Sequence, residues 1–201
     1  MISNRCARKS LVTNCNSIIS KNYLRFLVDS NDKKNKIMKE EKIETAIFAG
    51  GCFWGMEYMM RRIKGVVSVM PGYIGGHKEN PSYQEVKSHT TGHVEAVRIL
   101  FHPDEVDFEV LARYFFEIHD PTQTDGQGPD IGPQYLSAIF YTTPQQKDVS
   151  ERLIEILKDK GYDVVTRLLP ATEFWTAEEY HQNYYEKTGE EPYCHIYKKR
   201  F

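Results

Sequence analysis

Residues 43–201 predict an α+β fold, a ferredoxin-like α/β plait with helices packed on an antiparallel or mixed sheet and an irregular C-terminal tail. Three observations carry this reading. Alternating or β-rich runs and helical-period runs follow one another as β-α-β-β-α-β, with a further α, β and α appended. Helix starts are marked by capping residues, at Asp107 and at Thr143-Pro144-Gln145-Gln146. Glycine or proline closes the segments, and no internal repeat competes with a single domain.

Ile43 to Ala49 reads as a buried strand ended by Gly50-Gly51. Phe53, Met56, Met60 and Ile63 then recur at helical spacing, and Gly65 stops that helix. Val66 to Tyr73 is β-rich and leads into a long loop marked by Gly72, Gly75, Gly76 and Pro81. Val94 to Phe101 is the clearest strand. Asp107 caps a helix whose Phe108, Leu111, Ala112 and Phe115 share one face. Asp120 to Pro133 is loop by composition, and Tyr135 to Thr142 a strand. Thr143 and Gln146 form a capping box with proline at the first helical position, opening a helix that runs to Gly161. Val164 to Leu169 is a short strand, and Thr176 with Glu179 a second capping box for a helix ending near Gly189.

The 201 residues, 40% hydrophobic and 27% charged, suit one globular domain with a substantial core. A net charge of −2 offers no concentrated basic surface for nucleic acid. No run approaches the ~18 apolar residues of a membrane span, so a soluble chain is expected. Cys6, Cys15, Cys52 and Cys194 are too sparse for a disulfide framework and too scattered for a zinc site. They suit a reducing, cytoplasmic setting, and no metal is expected. Residues 1–42 form an N-terminal extension: no acidic residue precedes Asp29, while Arg5, Arg8, Lys9, Lys21 and Arg25 do. It reads as a disordered leader, an organelle-targeting segment, or a stretch upstream of a start at Met38. Cys6 and Cys15 fall within it and are poor catalytic candidates.

Chemistry concentrates at Phe48 to Gly55, FAGGCFWG. Cys52 stands where a strand turns into a helix, and unpaired N–H groups with the helix dipole favour a thiolate there. The bland alternative is a buried cysteine in a tight βα turn. Phe53 and Trp54 weigh against it, because two rings beside a turn are hard to bury together and could wall an apolar pocket. In GHVEAVRILF, Glu95 alternates onto the face of Val97, Ile99 and Phe101. A carboxyl so placed is desolvated and pushed toward the range of a general acid, unless it leans into solvent at the strand end. Tyr73 and Tyr135 stand among glycines at loop–strand boundaries, although most of the 13 tyrosines must serve only packing. Asp120, Asp125 and Asp130 lack the spacing of a calcium loop.

GCFWG, GYIGG, GHVEAV, HDPTQ, DIGPQY and YCHI occur here in the order seen in the peptide methionine sulfoxide reductase A family, which residues 43–201 therefore resemble. The resemblance implies an oxidoreductase in which Cys52 attacks the sulfur of a methionine S-sulfoxide, in oxidised proteins or free. Glu95 would protonate the sulfoxide oxygen, Tyr73 and Tyr135 hydrogen-bond it, and Phe53 and Trp54 hold the S-methyl group, with Asp130 toward the substrate backbone. Cys52 would be left as a sulfenic acid. Cys194 matches the resolving cysteine, which would form a disulfide with Cys52 for thioredoxin, or dithiothreitol, to reduce. The tail would need enough flexibility to bring the sulfurs together. The expected protein is a monomer with no cofactor beyond that reductant. A thiol peroxidase using Cys52 is the alternative; it would need neither methyl pocket nor carboxylic acid.

Overall fold

The computed structural model describes residues 42–201, and the readings made for residues 1–41, Cys6 and Cys15 among them, lie outside the described residues. The chain runs β1 (Glu44–Ala49), α1 (Phe53–Met60), β2 (Val66–Ile74), α2 (Tyr83–Lys87), β3 (Val94–Phe101) and α3 (Phe108–Ile118). It continues through β4 (Gly126–Gln127), β5 (Asp130–Ile131), β6 (Ala138–Tyr141), α4 (Pro144–Asp159), β7 (Arg167–Pro170), β8 (Trp175–Thr176) and α5 (Tyr184–Thr188).

Six strands form one mixed sheet in the order β7-β6-β1-β3-β2-β8. β3 is antiparallel to both β1 and β2, so these two run parallel on either side of it, joined through α1. That is the split β-α-β of the expected plait. β6 closes the core antiparallel to β1, β7 is added parallel to β6, and β8 pairs with the other edge.

Alternation along β1 sorts its side chains between two apolar layers. Ala46 and Phe48 face the larger layer with Met56, Met60, Phe115, Phe116, Leu153 and Leu157, where Phe48 stacks on Phe115 at 4.9 Å. Ile47 and Ala49 face the smaller one with Ile74, Ala96 and Phe140. Gln146 ties α4 to the sheet by donating from Nε2 to the Thr45 carbonyl at 2.7 Å.

The differences from expectation are local. α1 stops at Met60, short of Ile63. Thr143 caps α4 by accepting from the Gln146 N–H, but the Gln146 side chain reaches back to the N–H of Thr142 rather than to that of Thr143. Tyr135 belongs to a 3-10 turn, Pro133–Tyr135, and not to a strand. Thr176 caps nothing: it lies in β8, paired with Gly72. The helix expected after it is a 3-10 turn, Glu179–His181, followed by α5, because Asn183 sits in the left-handed region at φ 56. Asn183 is held there by its N–H, which donates to both carboxylate oxygens of buried Glu57. The loop after β2 contains α2, which Ser82 and Glu85 open with a complete capping box.

Candidate active site

β1 delivers the chain to a turn that only glycine can make. Gly51 has φ 95, and a Cβ there would lie 2.4 Å from the Gln127 side chain. The next residue, Cys52, is the N-cap of α1 and makes no side-chain cap, so the first N–H groups of the helix find other partners. Phe53 N–H donates to Glu95 Oε2 at 3.1 Å, and the Trp54 N–H bears on the Cys52 thiol, favouring its charged form. Glu95 arrives from the neighbouring strand, opposite Tyr73 in the ladder, and is 2% exposed.

Burial therefore dominates the Glu95 carboxyl and pushes it well above its usual range; any negative charge developed on Cys52, and that of Asp130, would add to this, and the Phe53 N–H opposes it. The sequence expectation of a proton-carrying carboxyl matches this environment. The thiolate expected at Cys52 does not. Its thiol is pushed up, first by the hydrogen bond with Cys194, then by burial, and the helix N-terminus, acting through Trp54 N–H, is too weak to reverse them. In this closed arrangement Cys52 is a neutral thiol.

Cys194 is itself buried, and both cysteines are free thiols. The two sulfurs and an Asp130 carboxylate oxygen all lie within 4.8 Å of one another. No flexible excursion is needed to bring the sulfurs close, since the tail is fastened beyond Cys194. Lys198 N–H donates to the Glu117 carbonyl at 2.7 Å, and Arg200 N–H to the Glu117 carboxylate at 3.1 Å. Asp130 reaches this point from β5, with Oδ1 near the Tyr193 hydroxyl at 3.4 Å and Oδ2 buried without a partner.

The aromatic wall is built unevenly. Phe53 is fully buried, with its ring 5.9 Å from Tyr73 and 5.0 Å from His181. Trp54 is half-buried, stacked on Tyr184 at 3.7 Å, and donates from Nε1 to His181 Nδ1. One ring thus joins the core while the other stays at its edge.

The two tyrosines expected at the site fall in different settings. Tyr73 is fully buried and its hydroxyl donates to Glu178 Oε2 at 2.8 Å, so that proton is already engaged. Tyr135 stands half-buried, with Glu95 and Tyr83 as its nearest titratable neighbours. Tyr83, which sequence reasoning passed over, also neighbours Glu95 and Cys52, and its ring lies 4.5 Å from His181. Its backbone N–H donates to Glu178, which therefore holds both tyrosines. The signal was available: Ser82-Tyr83-Gln84-Glu85 is a capping box of the kind recognised at Thr143. His181 and Glu178 carried no such mark. Among the other acids, Asp120 and Asp125 accept from Thr122 and Gln123 within their own loop.

The chain is similar to known proteins. The family model described as peptide methionine sulfoxide reductase matches residues 44–201. The peptide methionine sulfoxide reductase MsrA of Thermus thermophilus is 47% identical over 154 residues, 76% of this chain and 88% of that protein. The reduced form of Mxr1 from Saccharomyces cerevisiae superposes with a TM-score of 0.73 at 30% identity, covering 79% of this chain and 94% of the other. Methionine sulfoxide reductase A of Corynebacterium diphtheriae gives 0.68 at 35% identity, over 78% and 79%.

Proposed function

The chain belongs to the peptide methionine sulfoxide reductase family and is a thiol-dependent oxidoreductase acting on methionine sulfoxide, and from that premise we propose how its side chains divide the work. Cys52 is the nucleophile, and the S epimer of the sulfoxide its substrate. Glu95 supplies the proton that lets the sulfoxide oxygen give up its bond. Oxygen passes from the methionine sulfur to the Cys52 sulfur, the thiol hydrogen ends on the sulfenic acid, and Glu95 regains the proton it lent. Tyr135 and Tyr83 are better disposed than Tyr73 to hydrogen-bond the oxygen. Trp54 and Phe53 receive the S-methyl group, and Asp130 faces the substrate backbone.

One observation carries this reading: a buried, proton-retaining Glu95 bonded to the helix turn that holds Cys52, with Cys194 already beside that thiol. Cys194 then resolves the sulfenic acid as a disulfide, and a dithiol protein of the thioredoxin type reduces it, with no other cofactor. Mxr1 from yeast has been solved in complex with Trx2, which supports that class of partner. A reducing, cytoplasmic setting and a monomer complete the reading. No helix among the described residues is long and apolar enough to cross a membrane. The peroxidase alternative draws no support from a site built around a carboxylic acid and an aromatic wall.

The test is reduction of each epimer of a blocked methionine sulfoxide with dithiothreitol. The parent should consume the S epimer alone and Cys52→Ser neither; turnover by Cys52→Ser above background would remove Cys52 from the role. Cys194→Ser should retain turnover with dithiothreitol and lose most of it with thioredoxin.

A further inference from the structure

His195 follows the resolving cysteine and has no part in the chemistry above, yet it is 5% exposed and engaged at both ring nitrogens. Nε2 is 2.8 Å from the Gly50 carbonyl oxygen, which can only accept, so Nε2 carries the hydrogen. Nδ1 is 3.1 Å from the Cys194 sulfur. In a neutral ring with its hydrogen on Nε2, Nδ1 is a bare lone pair and the Cys194 S–H is the donor. The ring reaches this position because α1 makes room for it: a Cβ at Gly55 would stand 2.3 Å from Nδ1. An unbroken chain of contacts thus leads from the Cys52 thiol to the Cys194 sulfur, to Nδ1, and through Nε2 to the turn that precedes Cys52.

We propose that His195 is the general base of the resolving step, taking the Cys194 thiol proton at Nδ1 and passing it to the oxygen that leaves Cys52. This rests on the reading of Cys194 as the resolving thiol. The step balances. The S–H bond of Cys194 and the S–O bond of the Cys52 sulfenic acid break, a disulfide bond forms, and hydroxide departs as water with the proton carried by His195. Cys194 sulfur is oxidised as Cys52 sulfur is reduced. Burial holds the imidazole pKa down to about 4, against the opposing pull of the Gly50 carbonyl and Asp130, so the lone pair is free at neutral pH. The same shift makes the transient imidazolium a strong donor to departing hydroxide. The charged or titratable groups facing His195 are Cys194, Asp130 and, from the end of α3, His119.

The experiment mixes full-length enzyme with one equivalent of a blocked methionine S-sulfoxide, without reductant. Blocked methionine product, sulfenic acid trapped by a cyclic 1,3-dione, and intramolecular disulfide are each followed in time from pH 6 to 9.5. His195→Gln keeps an N–H donor for the Gly50 carbonyl but has no basic nitrogen. It should release one equivalent of reduced substrate at the parental rate, accumulate sulfenic acid, and form disulfide roughly 10²-fold more slowly at pH 7, the low end of what a general base contributes. That gap should close as pH rises and hydroxide can take the thiol proton in place of the ring. Disulfide formation within about twofold of the parent at every pH overturns the proposal, and so does a slowing of one constant size, which marks a purely positioning role. Loss of the first step in both His195→Gln and His195→Asn overturns it as well, since the ring would then serve only to build the Cys52 turn. Cys194→Ser runs alongside: an intramolecular Cys52 disulfide formed without Cys194 removes the resolving reading itself, whatever the His195 variants do.

Discussion

Gly55→Ala adds one methyl group where the helix of the nucleophile meets the C-terminal tail. The new Cβ would lie 2.3 Å from His195 Nδ1, 3.0 Å from Cε1 and 3.1 Å from Cγ. To restore ordinary contact at 3.4 Å or beyond, the buried ring must retreat by more than an ångström, which carries Nε2 out of its 2.8 Å hydrogen bond with the Gly50 carbonyl. A buried acceptor left without its partner costs about 1–3 kcal/mol. Alanine in place of glycine inside a helix returns at most about 1 kcal/mol. The expected net loss is about 0–2 kcal/mol, or up to roughly 8 °C in Tm for a domain of this size. Because Cys194 is the neighbour of the displaced ring, disulfide formation should slow as well, while the first methionine release, which we assign to Cys52 and Glu95, should stay within a few fold of the parent. The assays are urea or thermal melts under reducing conditions and a single-turnover time course read by mass. An alanine variant at least as stable as the parent, with parental disulfide formation, would refute the claim that His195 packs against Gly55.

Three other perturbations separate the remaining roles. Glu95→Gln keeps the shape and the acceptor for Phe53 N–H but no acidic proton, so single-turnover methionine release should fall roughly 10²–10⁴-fold. The parent rate should decline as pH rises through the elevated Glu95 value, and the variant should lack that decline; a rate within twofold of the parent across the series assigns the proton to another group. Tyr83→Phe and Tyr135→Phe should each lower the methionine-release rate, whereas Tyr73→Phe should chiefly lower stability, since its hydroxyl serves Glu178; the reverse ranking in the same single-turnover assay would restore the sequence expectation. The fourth prediction concerns acid. Burial depresses His119 to about 3 and His195 to about 4, below the unfolded value of about 6.5. As pH falls below that unfolded value the denatured chain binds protons the native state refuses, so stability present above pH 6.5 is lost as pH falls toward 4, by roughly 3 kcal/mol for His195 alone. Urea midpoints at pH 7, 5.5 and 4.5 should show a shallower acid slope in His195→Gln, and an unchanged slope contradicts the assignment.

How far the sequence reached is visible in particular residues. Period and punctuation are local properties, so β3 was readable to its ends at Val94 and Phe101, and the cap at Asp107 marked the start of α3. Alternation along β3 put Glu95 on the core face, which is enough to predict a desolvated carboxyl. The position of Cys52 at a strand–helix junction followed from the glycines before it. The sign of its proton affinity did not, because that depends on a second thiol 142 positions along the chain and on burial by a tail whose own sequence has no period. Tyr73 and Tyr83 likewise look alike in sequence, and what parts them is Glu178, which takes the hydroxyl of one and the backbone N–H of the other. Gly55 reads in sequence as an ordinary weak point in a helix. Only the folded chain brings His195 against it, and steric exclusion at 2.3 Å is a relation between two surfaces that neither segment carries alone. Composition, period and capping thus determined most of the elements and marked Cys52 and Glu95 as candidates, while the roles of nucleophile, acid and, for Cys194, resolving thiol were implied by the motif resemblance. Which groups touch, and therefore which protons are held or free, was decided by tertiary packing, since desolvation and contact are properties of the space between elements.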